Sequence, residues 1–250
     1  MLVAEHIAVL KREGEHLADA IGRADPDQPV PTCPEWTVRE LAHHMGRVHR
    51  WAAAVVRDAW PDQPTSEDEE RIWGTMPADD ALEAWVREGH RQIVDALTSA
   101  PADLSCWTFL AAPSPLAFWA RRQAHETAIH RVDAQTVLGE PDDVEAAFAT
   151  DGLDELLLCF FAGRSRRLRN DKPVTLGIAA TDADASWVVH IGPDGQRSER
   201  VEAIGPVDCL LRAPAVELYY GLWNRRGLTE LVADGDPAVV EIWRQRAMVR

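Results

Sequence analysis

Apolar residues recur at helical spacing through the first part of the chain. From Leu2 to about Ile21, residues Leu2, Ala4, Ile7, Val9, Leu10, Leu17 and Ala20 keep a roughly 3.6-residue period, and Gly22 predicts the end of a first helix. Prolines 26, 29, 31 and 34 exclude a continuous helix over the next stretch, because each removes a backbone donor and restricts its predecessor. Thr37 with Glu40 three residues on has the form of a capping box and predicts a second helix to about Ala59, with Val38, Leu41, Met45, Val48, Ala52 and Val55 as its core stripe. An acidic, proline-bearing loop from Pro61 to Glu70 leads through Ile72–Pro77 to a third helix over about Asp79–Thr98. After an irregular link, Ser114 or Pro115 opens a fourth that ends near Gly139. Four such helices joined by loops read as a four-helix bundle.

Beyond Pro141 the pattern changes, which divides the chain into expected domains of residues 1–141 and 142–250. A fifth helix is predicted over about Val144–Leu168, with a basic end at Arg164, Arg166, Arg167 and Arg169. Period-two segments follow at Val174–Ala180, Ser186–Ile191 and Ser198–Ile204, with a further strand over Asp208–Arg212 and a hairpin turn at Pro193-Asp194-Gly195. Ala215–Arg226 and Pro237–Arg246 read as closing helices. The fold class is therefore mixed: a helical bundle, then a small α+β domain whose antiparallel sheet is covered by helices on one face.

Chemistry is expected where polar groups fall on an apolar face. At about 100° per residue, Trp119, Glu126, His130, Asp133 and Val137 share one stripe of the fourth helix. Burying a lone carboxylate costs several kcal/mol, roughly, so this stripe must supply Glu126 with a cation or a hydrogen-bond network. A divalent metal satisfies that need, and residues spaced i and i+4 reach one ion. On the second helix His43 falls on the solvent face, His44 at the edge of the core stripe and His49 on the other edge, so periodicity favours His44 as the inward imidazole, with His49 second. His44, Glu126 and His130 together would leave a coordination position open, the pattern of a catalytic zinc site.

Composition narrows the classes. The net charge of −15 argues against nucleic acid or anionic lipid as partner. No apolar run has the length of a membrane span, and four scattered cysteines suggest neither a disulfide scaffold nor a cysteine zinc site, so a soluble cytoplasmic protein is expected. Of ten tryptophans, Trp85 and Trp119 lie on helix stripes as core, and Cys33 reads as a packed residue.

The stretch Pro31-Thr32-Cys33-Pro34-Glu35-Trp36-Thr37-Val38-Arg39-Glu40-Leu41-Ala42-His43-His44-Met45-Gly46-Arg47-Val48-His49-Arg50-Trp51 closely resembles the CPxWTVxDLxxHLGxVHRW signature of the mycothiol-dependent maleylpyruvate isomerase family. His125-Glu126-Thr127-Ala128-Ile129-His130-Arg131-Val132-Asp133-Ala134 resembles its second signature. The resemblance implies a DinB-like metal-binding bundle followed by a sterol-carrier-like domain, with His44, Glu126 and His130 holding Zn2+ or another divalent metal. It also implies mycothiol as thiol cosubstrate, a small-molecule electrophile as partner, and a monomer or homodimer. Leu222-Trp223-Asn224-Arg225 is similar to a Leu-Trp-Gly-Arg segment that carries a functional arginine, which points to Arg225, with Arg226 as its neighbour in contention and Asn224 in place of glycine. Asp133 and His49 are candidate supports or proton shuttles. A thiolate in the open position would isomerise an activated alkene or be transferred to an electrophile. The alternative is a non-catalytic metal- or ligand-binding protein of the same fold.

Overall fold

A computed structural model describes residues 1–161 and 168–247, which divide into two compact units, 1–142 and 143–250. In the first unit the helices are α1 (Val3–Arg23), α2 (Val38–Arg57), α3 (Ser66–Trp73), α4 (Leu82–Ser99) and α5 (Pro115–Leu138). α1 packs on α4 and α5, and α2 packs on the same two, which closes the bundle. Leu17, Ile21, Leu41, Met45, Val86 and Ala134 form part of its core.

The ends of the long helices follow their local chemistry. Glu40 accepts the Thr37 backbone N–H at 2.7 Å, which orients the start of α2. Ser114 accepts from the Ala117 N–H at 3.1 Å, Pro115 takes the position where its missing donor costs nothing, and Gly139 closes α5 at φ +74°. Between α2 and α4 the backbones come close at Gly46 and Gly89, where a methyl on Gly89 would stand 3.1 Å from the Gly46 carbonyl oxygen. Arg50 fills the crossing and donates to Gly46 O at 3.0 Å and Trp85 O at 2.8 Å.

Two expectations for this unit are corrected. The acidic loop contains α3, a helix of eight residues opened by Thr65, whose hydroxyl accepts from the Asp68 N–H at 3.3 Å. α5 is also buried on every side rather than along one stripe, since Arg122, His125, Thr127, Arg131 and Asp133 are all buried. Arg131 is held by two partners: its Nε donates to Glu13 Oε2 of α1 at 2.8 Å, and its Nη1 donates to Gln135 Oε1 at 2.7 Å.

The second unit holds α6 (Ala146–Asp154), which runs on as a π-helical turn over Glu155–Phe160, then strands β1 (Val174–Ala180), β2 (Ser186–Gly192), β3 (Gly195–Val201) and β4 (Cys209–Ala213), α7 (Ala215–Leu222), β5 (Val232–Gly235) and α8 (Ala238–Arg246). The end of the expected fifth helix, with Arg164, Arg166 and Arg167, lies outside the described residues. The sheet order is β3-β2-β1-β4-β5. It is mixed, which corrects the antiparallel expectation: β1 pairs antiparallel with β2, but parallel with β4. The cause is the connection over residues 202–208, which crosses the sheet past Gly177, where Ile204 and Val207 lie 3.1 Å from the position of a Cβ, and delivers β4 in the same direction as β1. β3 starts three residues earlier than its alternation suggested, because pairing resumes at once after the two-residue turn, with Gly192 opposite Gly195.

Candidate metal centre

α2 and α5 bring His44, Glu126 and His130 together, and one donor atom from each lies within 4.8 Å of the others. His44 Nε2 is 3.2 Å and His130 Nε2 3.5 Å from the same oxygen, Glu126 Oε1. The other oxygen, Oε2, accepts from Arg122 Nη2 at 2.8 Å. Arg122 is one helical turn before Glu126 and buried to 3% of its side-chain surface. Burial is the largest single influence and works against an ionised Glu126, but Arg122 and the hydrogen bonds of His130 and His44 together outweigh it, so the carboxyl is held well below the usual carboxylate range. The cation demanded by an inward carboxylate is thus Arg122, which the single-stripe reading of the helix passed over, although an arginine at i−4 was available to find it.

His130 is fixed from behind. Its Nδ1 lies 2.8 Å from Asp133 Oδ2, which fixes the tautomer and aims Nε2 at Glu126. Asp133 is fully buried and also accepts from Thr32 Oγ1 at 2.6 Å and from Cys33 Sγ at 3.4 Å. Burial pushes the His130 imidazole down, but the Asp133 and Glu126 carboxylates prevail and leave it raised above 6.5. The loop before α2 therefore buttresses the centre, and Cys33 is both packed and hydrogen-bonded. Trp36 closes one side, its ring centroid 4.8 Å from that of His44 and 5.6 Å from that of His130.

The remaining histidines sit differently from their sequence positions. His43 is half-buried instead of solvent-facing, with its ring 6.1 Å from Trp85, and burial lowers its pKa. His49 is not at an edge but fully buried, its Nε2 2.9 Å from Thr127 Oγ1, because α2 is covered by both α4 and α5. Burial first and the neighbouring His90 second push its pKa well below 6.5. His49 does not join the three-residue cluster.

His44 also lines a cleft of about 560 Å3 on the first unit, with α2 as its floor and Glu69 and Trp73 of α3 on its wall. His44 and Glu126 keep 32% and 22% of their side-chain surface exposed, which makes the cluster reachable from solvent. Arg225 belongs to the second unit, just past α7, and its Nη1 donates to Trp223 O at 2.8 Å. Arg226 is held by Glu217 and Asp143 and lies 4.6 Å over the Tyr220 ring. Asn224 adopts φ +60°, a conformation that glycine takes freely and asparagine tolerates, which explains the exchange between the two at this position.

Residues 8–135 match the model of the mycothiol maleylpyruvate isomerase N-terminal domain, and residues 147–241 match that of the MDMPI C-terminal domain. No curated protein matches the sequence. Among solved structures, a crystal structure of the mycothiol-dependent maleylpyruvate isomerase is similar with a TM-score of 0.63 at 12% identity, over 93% of this chain and 92% of that one. A histidine-to-alanine mutant of that isomerase gives 0.62 at 13% identity over the same shares. At these identities the structural likeness shows the fold: a helical part followed by a mixed-sheet domain. Both domain models together, in the order and over the residues stated, show that the chain belongs to the mycothiol maleylpyruvate isomerase family of enzymes.

Proposed function

We propose that the chain is a divalent-metal enzyme, with zinc as the expected ion, that uses mycothiol to isomerise a maleylpyruvate-like acid. The observation that carries this is the convergence of His44 Nε2 and His130 Nε2 on one oxygen of Glu126 at 3.2 and 3.5 Å. Nitrogen and oxygen ligands bonded to a tetrahedral zinc at about 2.0–2.1 Å stand roughly 3.3 Å apart, so these separations fit one ion without large movement. Asp133 behind His130 and Arg122 behind Glu126 are the supports such ligands need. When bound, the metal supplies Lewis acidity that makes a thiol a thiolate at neutral pH.

The chain's own residues then orient and enclose. His44, Glu126 and His130 hold the ion, Asp133 keeps the His130 proton on Nδ1, and Trp36 shields one side. The isomerisation is neutral in atoms and electrons. The thiolate sulfur bonds to one alkene carbon while the π pair moves onto the conjugated carbonyl as an enolate; the new single bond rotates; the pair returns, the double bond re-forms and the carbon–sulfur bond breaks. Arg225 is proposed to bind a carboxylate of the electrophile, as the family-like segment suggests. Transfer of the thiol to an electrophile uses the same nucleophile and differs in that the enolate takes up a proton from solvent and the carbon–sulfur bond is kept.

Elemental analysis tests the reading: about one equivalent of metal in the wild type, loss of most of it in His130→Ala, and cis-trans isomerisation of maleylpyruvate only when mycothiol is added. Undiminished metal in the variant removes His130 from the ligands, and a metal-loaded protein indifferent to thiols leaves the non-catalytic alternative.

A further inference from the structure

The cleft over α2 contains a cation that its surroundings leave uncompensated. Arg47 lies three residues after His44, so both face the cleft. Its guanidinium donates to the Met76 thioether at 3.2 and 3.4 Å and lies 5.1 Å over the Trp73 ring. A thioether is a weak acceptor, and no carboxylate among the described residues pairs with Arg47. In a chain of net charge −15, where most arginines of the first unit are paired with one or more carboxylates, this is an exception that requires a reason.

Glu40 and Glu69 line the same cleft, but Glu40 is turned to the Thr37 backbone and hydroxyl, and neither comes within ion-pair distance of Arg47. The rings of Trp51 and Trp73 line the cleft beside Arg47, while their indole nitrogens are turned away from solvent. A fork of guanidinium donors between aromatic walls matches a planar carboxylate on a short unsaturated chain.

We infer that Arg47, with Trp51 and Trp73, binds a carboxylate of the electrophile, one helical turn from His44. For the identity of the acid the inference rests on the proposed isomerase reading; the anion site itself does not. A carboxylate held there puts the carbon chain attached to it beside the ligand histidine, where an attacking sulfur would be needed. Arg47 thereby selects acids over neutral electrophiles.

The test uses the purified full-length protein and maleate as probe, with neutral dimethyl maleate as control, by isothermal titration calorimetry. Wild type should bind maleate. Arg47→Gln should weaken that binding on the order of 10- to 100-fold, with metal content and melting temperature unchanged, and leave dimethyl maleate unaffected. Arg47→Lys should lie between the two, and Trp73→Leu, which removes the ring under the Arg47 guanidinium, should weaken maleate several-fold. Wild type preferring the diester, or Arg47→Gln binding maleate within twofold of wild type, overturns the inference; should Arg47→Gln not fold, Arg47→Lys and Trp73→Leu both within twofold overturn it. Loss of metal or of thiol dependence in wild type would strike the isomerase reading alone, since maleate binding at Arg47 is read separately.

Discussion

Asp133 has no surface exposure, yet it accepts from His130, Thr32 and Cys33 at once. Asp133→Asn keeps the shape and one acceptor but removes the charge that raises His130. Metal affinity, measured by competition with a chromogenic chelator, is expected to fall about 10- to 100-fold, while a change under threefold would show the carboxylate to be structural only. Glu126 and His130 were legible in the sequence because a carboxylate and an imidazole at i and i+4 are conspicuous in an apolar context. Arg122 and Thr32 were not. The first lies as close to Glu126 along the helix face as His130 does, but its charge reads as solvated until the helix is seen to be enclosed all round, and the second stands 101 positions away from its partner. Arg47, Trp51 and Trp73 could not be grouped without the wall that α3 supplies.

At the scale of elements, the crossing of α2 and α4 sets where His44 stands. A methyl on Gly46 would run into the ring of Trp85, which cannot yield because Arg50 lies 4.1 Å over it and is itself tied to both helices. Gly46→Ala gains up to about 1 kcal/mol in helix propensity but incurs about 1–3 kcal/mol of overpacking. Urea denaturation should therefore show a net loss of stability, and a stabilised variant would mean that the helices can part. The long helices were readable because their caps, Thr37 with Glu40 and Ser114 with Pro115, are written in adjacent residues. α3 and β5 were not: eight mostly charged residues and four residues with a single half-buried side chain carry too little periodicity. The direction of β4 lies in a connection that no local pattern encodes.

Across the whole molecule, acid should be more damaging than the acidic composition alone implies, because the first unit buries two neutral histidines. His49 and His90 have ring centroids 5.7 Å apart; His90 Nε2 is 3.0 Å from Leu10 O. Burial leads in lowering both pKa values below 6.5. Well above pH 6.5 both are neutral folded or unfolded and contribute no pH dependence. As pH falls below 6.5, the unfolded chain takes up protons that the native state refuses, and stability drops by about 1.4 kcal/mol per histidine and pH unit while the native rings stay neutral. His130, with a raised pKa, acts in the opposite sense, adding stability that is lost as pH rises through its folded value. Urea midpoints at pH 7.5, 6.5 and 5.5 for wild type and His90→Gln isolate the effect: the variant should lose less stability between pH 6.5 and 5.5, and parallel profiles would refute it.

The two oxygens of Glu126 are not equivalent, and this decides which ions can compete. Oε2 accepts from Arg122 while Oε1 faces both histidines, so the proposed ligand set would use the carboxylate mainly through one oxygen. Ca2+ seeks about six to eight oxygen ligands and Mg2+ an octahedron rich in water and carboxylate, whereas this cluster presents one oxygen and two imidazole nitrogens. For the proposed metal, the guanidinium that helps keep Glu126 ionised would thus favour borderline transition ions over the hard cations that are most abundant in cells.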